Sequence, residues 1–164
     1  MSNAISRRDA EDFLIAEAEL LDDWKMPEWA KLFTRDAVYE VTSPASATPL
    51  EDNPDTSLFL IADRIDRIEG RANRLMKPGT HAEFPRSKTR HLVTNIRVRA
   101  GENGEALVRA NFAVYRTKED TTTVYMGEYH YSLVRETDAV KIRRKRCILD
   151  INSLHDQGRL TIIL

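Results

Sequence analysis

From Arg90 onward the apolar residues of this chain recur at every second position, and that change of period governs what the chain can fold into. RHLVTNIRVR and EALVRANFAVYRT flank GENG, which reads as a hairpin with a glycine-containing turn; TTVYMGEYHYSLVR and AVKIRRKRCILDI follow as two further strands joined by ETD. Upstream the period is helical. Ser6 and Asp9 resemble a capping box, and residues 9–24 place Ala10, Phe13, Leu14, Leu20, Leu21 and Trp24 on one stripe. Pro27 suits the first position of a short helix, PEWAKLF. DAVYEV, residues 36–41, reads as a strand, and SPASATPLEDNPD, residues 43–55, as a loop. Leu58, Ile61, Ile65, Ile68, Ala72 and Leu75 form the clearest helical stripe, with Asp63 and Arg67 spaced to pair at i,i+4 on its wet side; PGT ends it. A coiled coil is the alternative reading, but the stripe is short and Gly70 lies inside it. Helices followed by a run of antiparallel strands give an α+β chain rather than an alternating βαβ one. The 164 residues suit one domain, 1–164, with no internal repeat.

Strand alternation assigns faces. Val108, Ala110, Phe112 and Val114 share one side, as do Tyr125, Tyr129, Tyr131 and Leu133; these should cover the helices. The opposite side carries His91, Asn95 and Arg97, then Arg109 and Asn111, then Glu128, His130 and Ser132. Such a face either meets water or makes a polar subunit contact. Glu17 falls inside the first apolar stripe, as a carboxylate snorkelling at its edge or as a buried one with a cationic partner.

Bulk properties exclude several classes. Lys and Arg number 25 against 26 Asp and Glu, a net charge of −1, so a nucleic-acid binder's basic field would have to be local. The single cysteine, Cys147, rules out an internal disulfide framework and any cysteine-rich zinc site. No apolar run approaches a membrane span, and MSNAISRRDAEDF has no signal core, so a cytoplasmic location is expected. The glycines form neither GxGxxG nor a P-loop. His81, His91, His130 and His155 are scattered, none at i,i+4 from another, although strands can bring distant ligands together.

Several residues invite a functional reading beside a structural one. His130 and Glu128 can act as an acid–base pair or as a strand contact. Asp36 and Tyr39 can line a pocket or belong to the core and caps; His91 can meet a partner or water. Cys147, beside Arg146, is either a reactive thiol or a buried strand cysteine. KIRRKRCILDI is the densest basic stretch. On a regular strand Ile142, Arg144, Arg146 and Ile148 share one side, and Lys141, Arg143, Lys145 and Cys147 the other. Cations this close repel unless carboxylates intervene, so the arginines should pair within the chain or across to a partner. The terminal GRLTIIL alternates like a strand, and an apolar chain end is normally tied down. Arg97, Arg109, Glu128, His130, Arg144, Arg146, Leu160, Ile162 and Leu164 are therefore the candidate subunit-contact residues.

The sequence also resembles a known family. EAELLDDWKMPEWAKLFTRDAVYEV, HAEFPRSKTRHLVTNIRV, VRANFAVYR and YHYSLVRETDAVKIRRKRCILD resemble, in order, segments of the small (β) subunits of bacterial aromatic-ring-hydroxylating dioxygenases. The resemblance implies a fold like nuclear transport factor 2 and ketosteroid isomerase, a cystatin-like cone with N-terminal helices held in a strongly curved antiparallel sheet. It implies an assembly of three large (α) and three small (β) subunits, with self-association as a trimer. It places the Rieske iron–sulfur cluster and the mononuclear iron in the large subunit, and neither cofactor nor catalytic residues in this chain. A Rieske centre needs two cysteines and two histidines, which Cys147 alone cannot complete. Nucleic-acid and membrane partners are not expected. The rivals are a stand-alone isomerase or dehydratase using Asp36, Tyr39, His91 and His130, or a small-molecule binding module of the same fold. An open pocket holding two or more of the four residues would favour an enzyme; a filled cone with a large polar face would favour a scaffold.

Overall fold

The computed structural model describes residues 3–79, 82–151, 154 and 159–164. Ser6 caps the first helix, α1 (Arg7–Asp22), through the reciprocal pair of bonds expected with Asp9. Ala10, Leu14, Glu17 and Leu21 are its buried stripe. Pro27 lies in the first turn of the short α2 (Met26–Ala30), and β1 (Phe33–Thr42) follows at once.

The next segment departs from the helix expected over Leu58–Leu75 spacing. Phe59–Arg64 is a strand, β2, laddered antiparallel to β1, and the helix α3 starts only at Ile65 and ends at Met76. Ile61 fits either period: it alternates with Asp63 on the strand and precedes Ile65 by four. Leu58 is 86% exposed and belongs to no stripe. Asp63 does not pair with Arg67; it is buried and receives Arg71 Nε at 2.8 Å, because a strand turns its side chain toward the helix above it.

Four long strands complete the chain: β3 (Lys88–Ala100), β4 (Ala106–Lys118), β5 (Thr121–Glu136) and β6 (Ala139–Leu149). Among the described residues they form one six-stranded sheet with β1 and β2, in the order β2-β1-β6-β5-β4-β3. β1 runs parallel to β6; the other neighbours are antiparallel. The predicted inner residues of β4 and β5 are buried, and Phe112 stacks on Tyr129 at 4.3 Å. Gly127 passes so close to β6 that a Cβ there would sit 1.8 Å from the Ile148 carbonyl oxygen.

Two bulges change the faces expected from simple alternation. In β3 the ladder passes from Thr94–Asn111 to Arg97–Arg109, and Asn95 takes φ +56°. Two residues thus oppose one, which flips the side of everything beyond. Thr89 and His91 point inward before the bulge and Ile96 after it, so His91 does not share a side with Arg97. In β6 the ladder passes from Leu133–Ile142 to Ser132–Arg144. Ile142 is therefore inward, but so are Lys145, Cys147 and Leu149, while Arg144 faces outward beside Ser132.

The chain end also differs from expectation. Residues 160–164 form no strand; Ile162, Ile163 and Leu164 are buried consecutively in the chain's own core. Leu164 donates its backbone N–H to the Tyr39 hydroxyl at 3.2 Å.

Candidate functional site

The interior of the cone is occupied by a buried ion pair. Lys145 Nζ lies 2.7 Å from Glu17 Oε1, with the two side chains 1% and 2% exposed. Trp29 Nε1–H donates to the same oxygen at 3.0 Å and the Tyr131 hydroxyl to Oε2 at 2.6 Å. Lys145 Nζ also lies over the rings of Tyr129, Tyr131 and Tyr39, at 4.6, 5.5 and 5.9 Å from their centroids. Of the two readings of Glu17, the buried carboxylate is the one observed. Burial pushes the hydroxyls of Tyr39, Tyr129 and Tyr131 well above their ordinary range, so all three stay protonated donors or packing groups. Cys147 is fully buried beside them, and desolvation raises its thiol to about 12; it is a core cysteine rather than a nucleophile.

His91 is held beside this core. Its Nδ1 lies 2.6 Å from Asp22 Oδ1 and its Nε2 2.8 Å from the Ile163 carbonyl oxygen. Asp22 also accepts from the Thr89 hydroxyl at 3.0 Å and from the His91 backbone N–H. Burial raises the Asp22 carboxyl, but these donors outweigh it and hold it below its ordinary value. The cavity next to His91 has a volume of about 10 Å³ between Leu21, Trp24, Met26, Leu75, Ile162 and Ile163. That is about the space of one water and admits no substrate.

The opposite side of the sheet bears an open concavity of about 1320 Å³. Asp36 and His130 line it. Asp36 is mostly exposed, accepts from the Thr34 hydroxyl at 2.6 Å and stands 3.4 Å from Arg143 Nε; the Thr34 bond is the main cause of its lowered carboxyl pKa. His130 Nε2 lies 3.0 Å from Glu128 Oε2, and Arg109 bonds the other Glu128 oxygen. Burial works to raise the Glu128 carboxyl, and the His130 and Arg109 bonds more than offset it. The four suspects for acid–base chemistry are thus split. Asp36 and His130 face the open concavity with partners of their own, while Tyr39 and His91 are locked inside.

The basic strand is answered within the chain. Glu40, itself buried, receives Arg144 Nε at 2.8 Å and Arg146 Nη2 at 3.2 Å. Arg146 is 2% exposed and also donates to the carbonyls of Pro49 and Leu50, at 3.0 and 3.2 Å; Arg144 is 47% exposed. The burial of Arg146, Ile162 and Leu164 therefore needs no second chain; Leu160 is half-buried against the core. Arg97 and Arg109 stand opposite each other on the outer side of β3 and β4. Local sequence carries no signal for Glu40 or Arg99, and Asp22, one of the acids available to answer the basic strand, pairs with His91 instead; Glu17, an acid in an apolar stripe, carries a readable signal. Among the described residues no group of three or more His, Cys, Asp or Glu is placed to hold a metal ion; His81 and His155 lie outside those residues. No helix among them is long and apolar enough to cross a membrane.

Residues 16–156 match the family model of the ring hydroxylating beta subunit. The chain belongs to that family. It is 45% identical over 160 residues to the small oxygenase component of the p-cumate 2,3-dioxygenase system of Pseudomonas putida, covering 98% of this chain and 88% of that protein. The β subunit of benzoate 1,2-dioxygenase from Burkholderia mallei superposes with a TM-score of 0.76 at 24% identity, over 99% of this chain and 100% of that one. A chain of naphthalene 1,2-dioxygenase solved with indole in the active site gives a TM-score of 0.81 at 16% identity, over 96% and 85%. The expected α+β fold, like that of nuclear transport factor 2, is the one observed.

Proposed function

We propose that this chain is the non-catalytic structural subunit of a multicomponent aromatic-ring-hydroxylating dioxygenase. A large (α) subunit holds the Rieske cluster and the mononuclear iron, receives electrons from a reductase, and adds both atoms of O2 to an aromatic ring to give a cis-dihydrodiol. Three large and three small subunits make the assembly, in the cytoplasm. The small subunits fix the relative placement of the catalytic ones, and a slight misplacement of reacting groups costs large factors in rate.

One observation carries this reading: the cone is full, and although Asp36 and His130 do share the open outer concavity, they stand on an arginine-lined polar face, held by Thr34 and Arg143 and by Glu128, rather than in an apolar pocket. Where an isomerase or dehydratase of this fold class would need an open apolar pocket with a general base, this chain places the Glu17–Lys145 pair, three tyrosines and its own C-terminal residues. The family membership and the Pseudomonas putida relative support the choice of complex. The test is co-purification from the native host. Recovery of this chain with a larger, iron-containing, brown polypeptide is expected. Recovery alone, with isomerase or dehydratase turnover by the isolated chain, would overturn the proposal.

A further inference from the structure

Two adjacent rows of side chains cross the outer side of the sheet. In one, Arg97 stands opposite Arg109, Arg109 opposite His130, His130 opposite Arg146, and Arg146 opposite Glu40. In the next, the order is Arg99, Leu107, Ser132, Arg144 and Val38. Neighbouring strands lie about 4.8 Å apart, so adjacent members of a row are within reach of one ligand. Seven arginines line this concavity, and five have carboxylate partners in the chain: Arg7 with Glu11, Arg109 with Glu128, Arg143 with Asp36 and Glu105, and Arg144 and Arg146 with Glu40. Arg97 and Arg99 have none among the described residues. Arg97 moreover faces the like charge of Arg109 across the ladder, which is unfavourable unless a carboxylate joins them. Between Leu107 and Arg144, Ser132 is 8% exposed and its buried hydroxyl has no hydrogen-bond partner. The isolated chain leaves this surface electrostatically incomplete.

Its complement lies at the other edge of the same sheet. β3 carries Arg97 and Arg99 at one edge, and β2 forms the opposite one. The loop joining β1 to β2 exposes Glu51 and Asp55, neither with a cation partner among the described residues, together with Leu50 and Leu58 at 60% and 86% exposure. Arg146 grips the middle of that loop through the Pro49 and Leu50 carbonyls, so its position is set in advance. A two-fold axis running through the arginine rows would set arginine against arginine. A head-to-tail contact instead sets carboxylate against arginine, and it repeats into a closed ring where its rotation closes.

We propose that Arg97 and Arg99 of one copy receive the acidic β1–β2 loop of a second copy of this chain, with Glu51 and Asp55 as the carboxylates, in a head-to-tail contact. Guanidinium–carboxylate pairing gives that contact geometric specificity, and the loop's exposed leucines gain cover. This contact rests on the subunit reading above and names the surfaces through which small subunits meet.

The full-length chain, alone and with a large oxygenase subunit, is sized by sedimentation across a salt series. Wild type is compared with R97E/R99E, with E51R/D55R, and with the chain carrying all four changes. All altered positions are exposed, and a thermal melt of each variant checks that the fold is kept. Wild type should self-associate, and each paired reversal should weaken that association by about tenfold or more, since like charges would then meet. The four-site chain should recover, because every contact in the ring regains opposite charges. Equal association of wild type and both paired reversals, failure of the four-site chain to recover, or a wild type that is monomeric in both settings overturns the contact. A wild type that joins the large subunit while the reversals change nothing overturns only the contact. A wild type that joins no large subunit yet shows reversal and recovery by itself overturns only the subunit reading.

Discussion

Glu17 and Lys145, 128 positions apart in sequence, meet at 2.7 Å in the centre of the molecule, where neither side chain reaches solvent. α1 supplies the acid and the bulge in β6 turns the base inward to meet it. Removing either partner strands the other charge in a site of low polarity. Lys145→Ala or Glu17→Ala should therefore cost roughly 3–5 kcal/mol in urea unfolding of the isolated chain. A loss of a few tenths of a kcal/mol would mean that water reaches the pair.

The acid limb of stability should depend on Asp22 and Glu83. Both folded carboxyls lie below their ordinary values of 3.8 and 4.5: donors from His91 and Thr89 overcome burial at Asp22, and Ser87, Thr161 and Arg116 do so at Glu83. A depressed folded pKa contributes stability that is fully present above the unfolded value and lost as pH falls through the folded one. Melting temperature should thus drop below about pH 4.5, and Asp22→Asn or Glu83→Gln should flatten that drop while lowering stability at neutral pH. An unchanged acid limb in both variants would contradict this account.

Cys147 should resist alkylation in the native chain. With its thiol raised to about 12 and no solvent access, iodoacetamide at pH 8 should label it only as fast as the protein unfolds. Rapid stoichiometric labelling without loss of structure would show an accessible thiolate.

The C-terminal residues should matter to the single chain, before any assembly. Ile162, Ile163 and Leu164 are buried, and each buried side chain of this size contributes about 1.5–3 kcal/mol. Deletion after Gly158 should lower the stability of the isolated chain by roughly 5 kcal/mol or more, or prevent folding. A truncated chain with wild-type melting behaviour would show that the segment is dispensable to the core.

Much of this architecture was legible because burial enforces period. The inner residues of β4 and β5 alternate without interruption, and the capping box at Ser6 is a local pattern. What escaped has physical causes. A bulge adds one residue without altering composition, yet it reverses every side chain after it, which is how Lys145 came to face inward and how Arg97 came to lie on the other side of the sheet from His91. Ile61 satisfies strand and helix spacing alike, so β2 was absorbed into the helix that follows it. Glu17 could be flagged by its place in an apolar stripe, but its partner on a strand 128 residues away could not be. Nor does local sequence show that the chain's own end seals the cone beside His91.

The most direct test of the structural role is turnover in a reconstituted dioxygenase of complete subunit composition, with Asp36→Asn and His130→Ala combined in this chain. These are the two acid–base suspects that reach open space. The expected result is kcat/KM within about threefold of wild type, because no transition-state interaction has been removed. A fall of several orders of magnitude in kcat, at full assembly, would contradict it and place chemistry on this subunit.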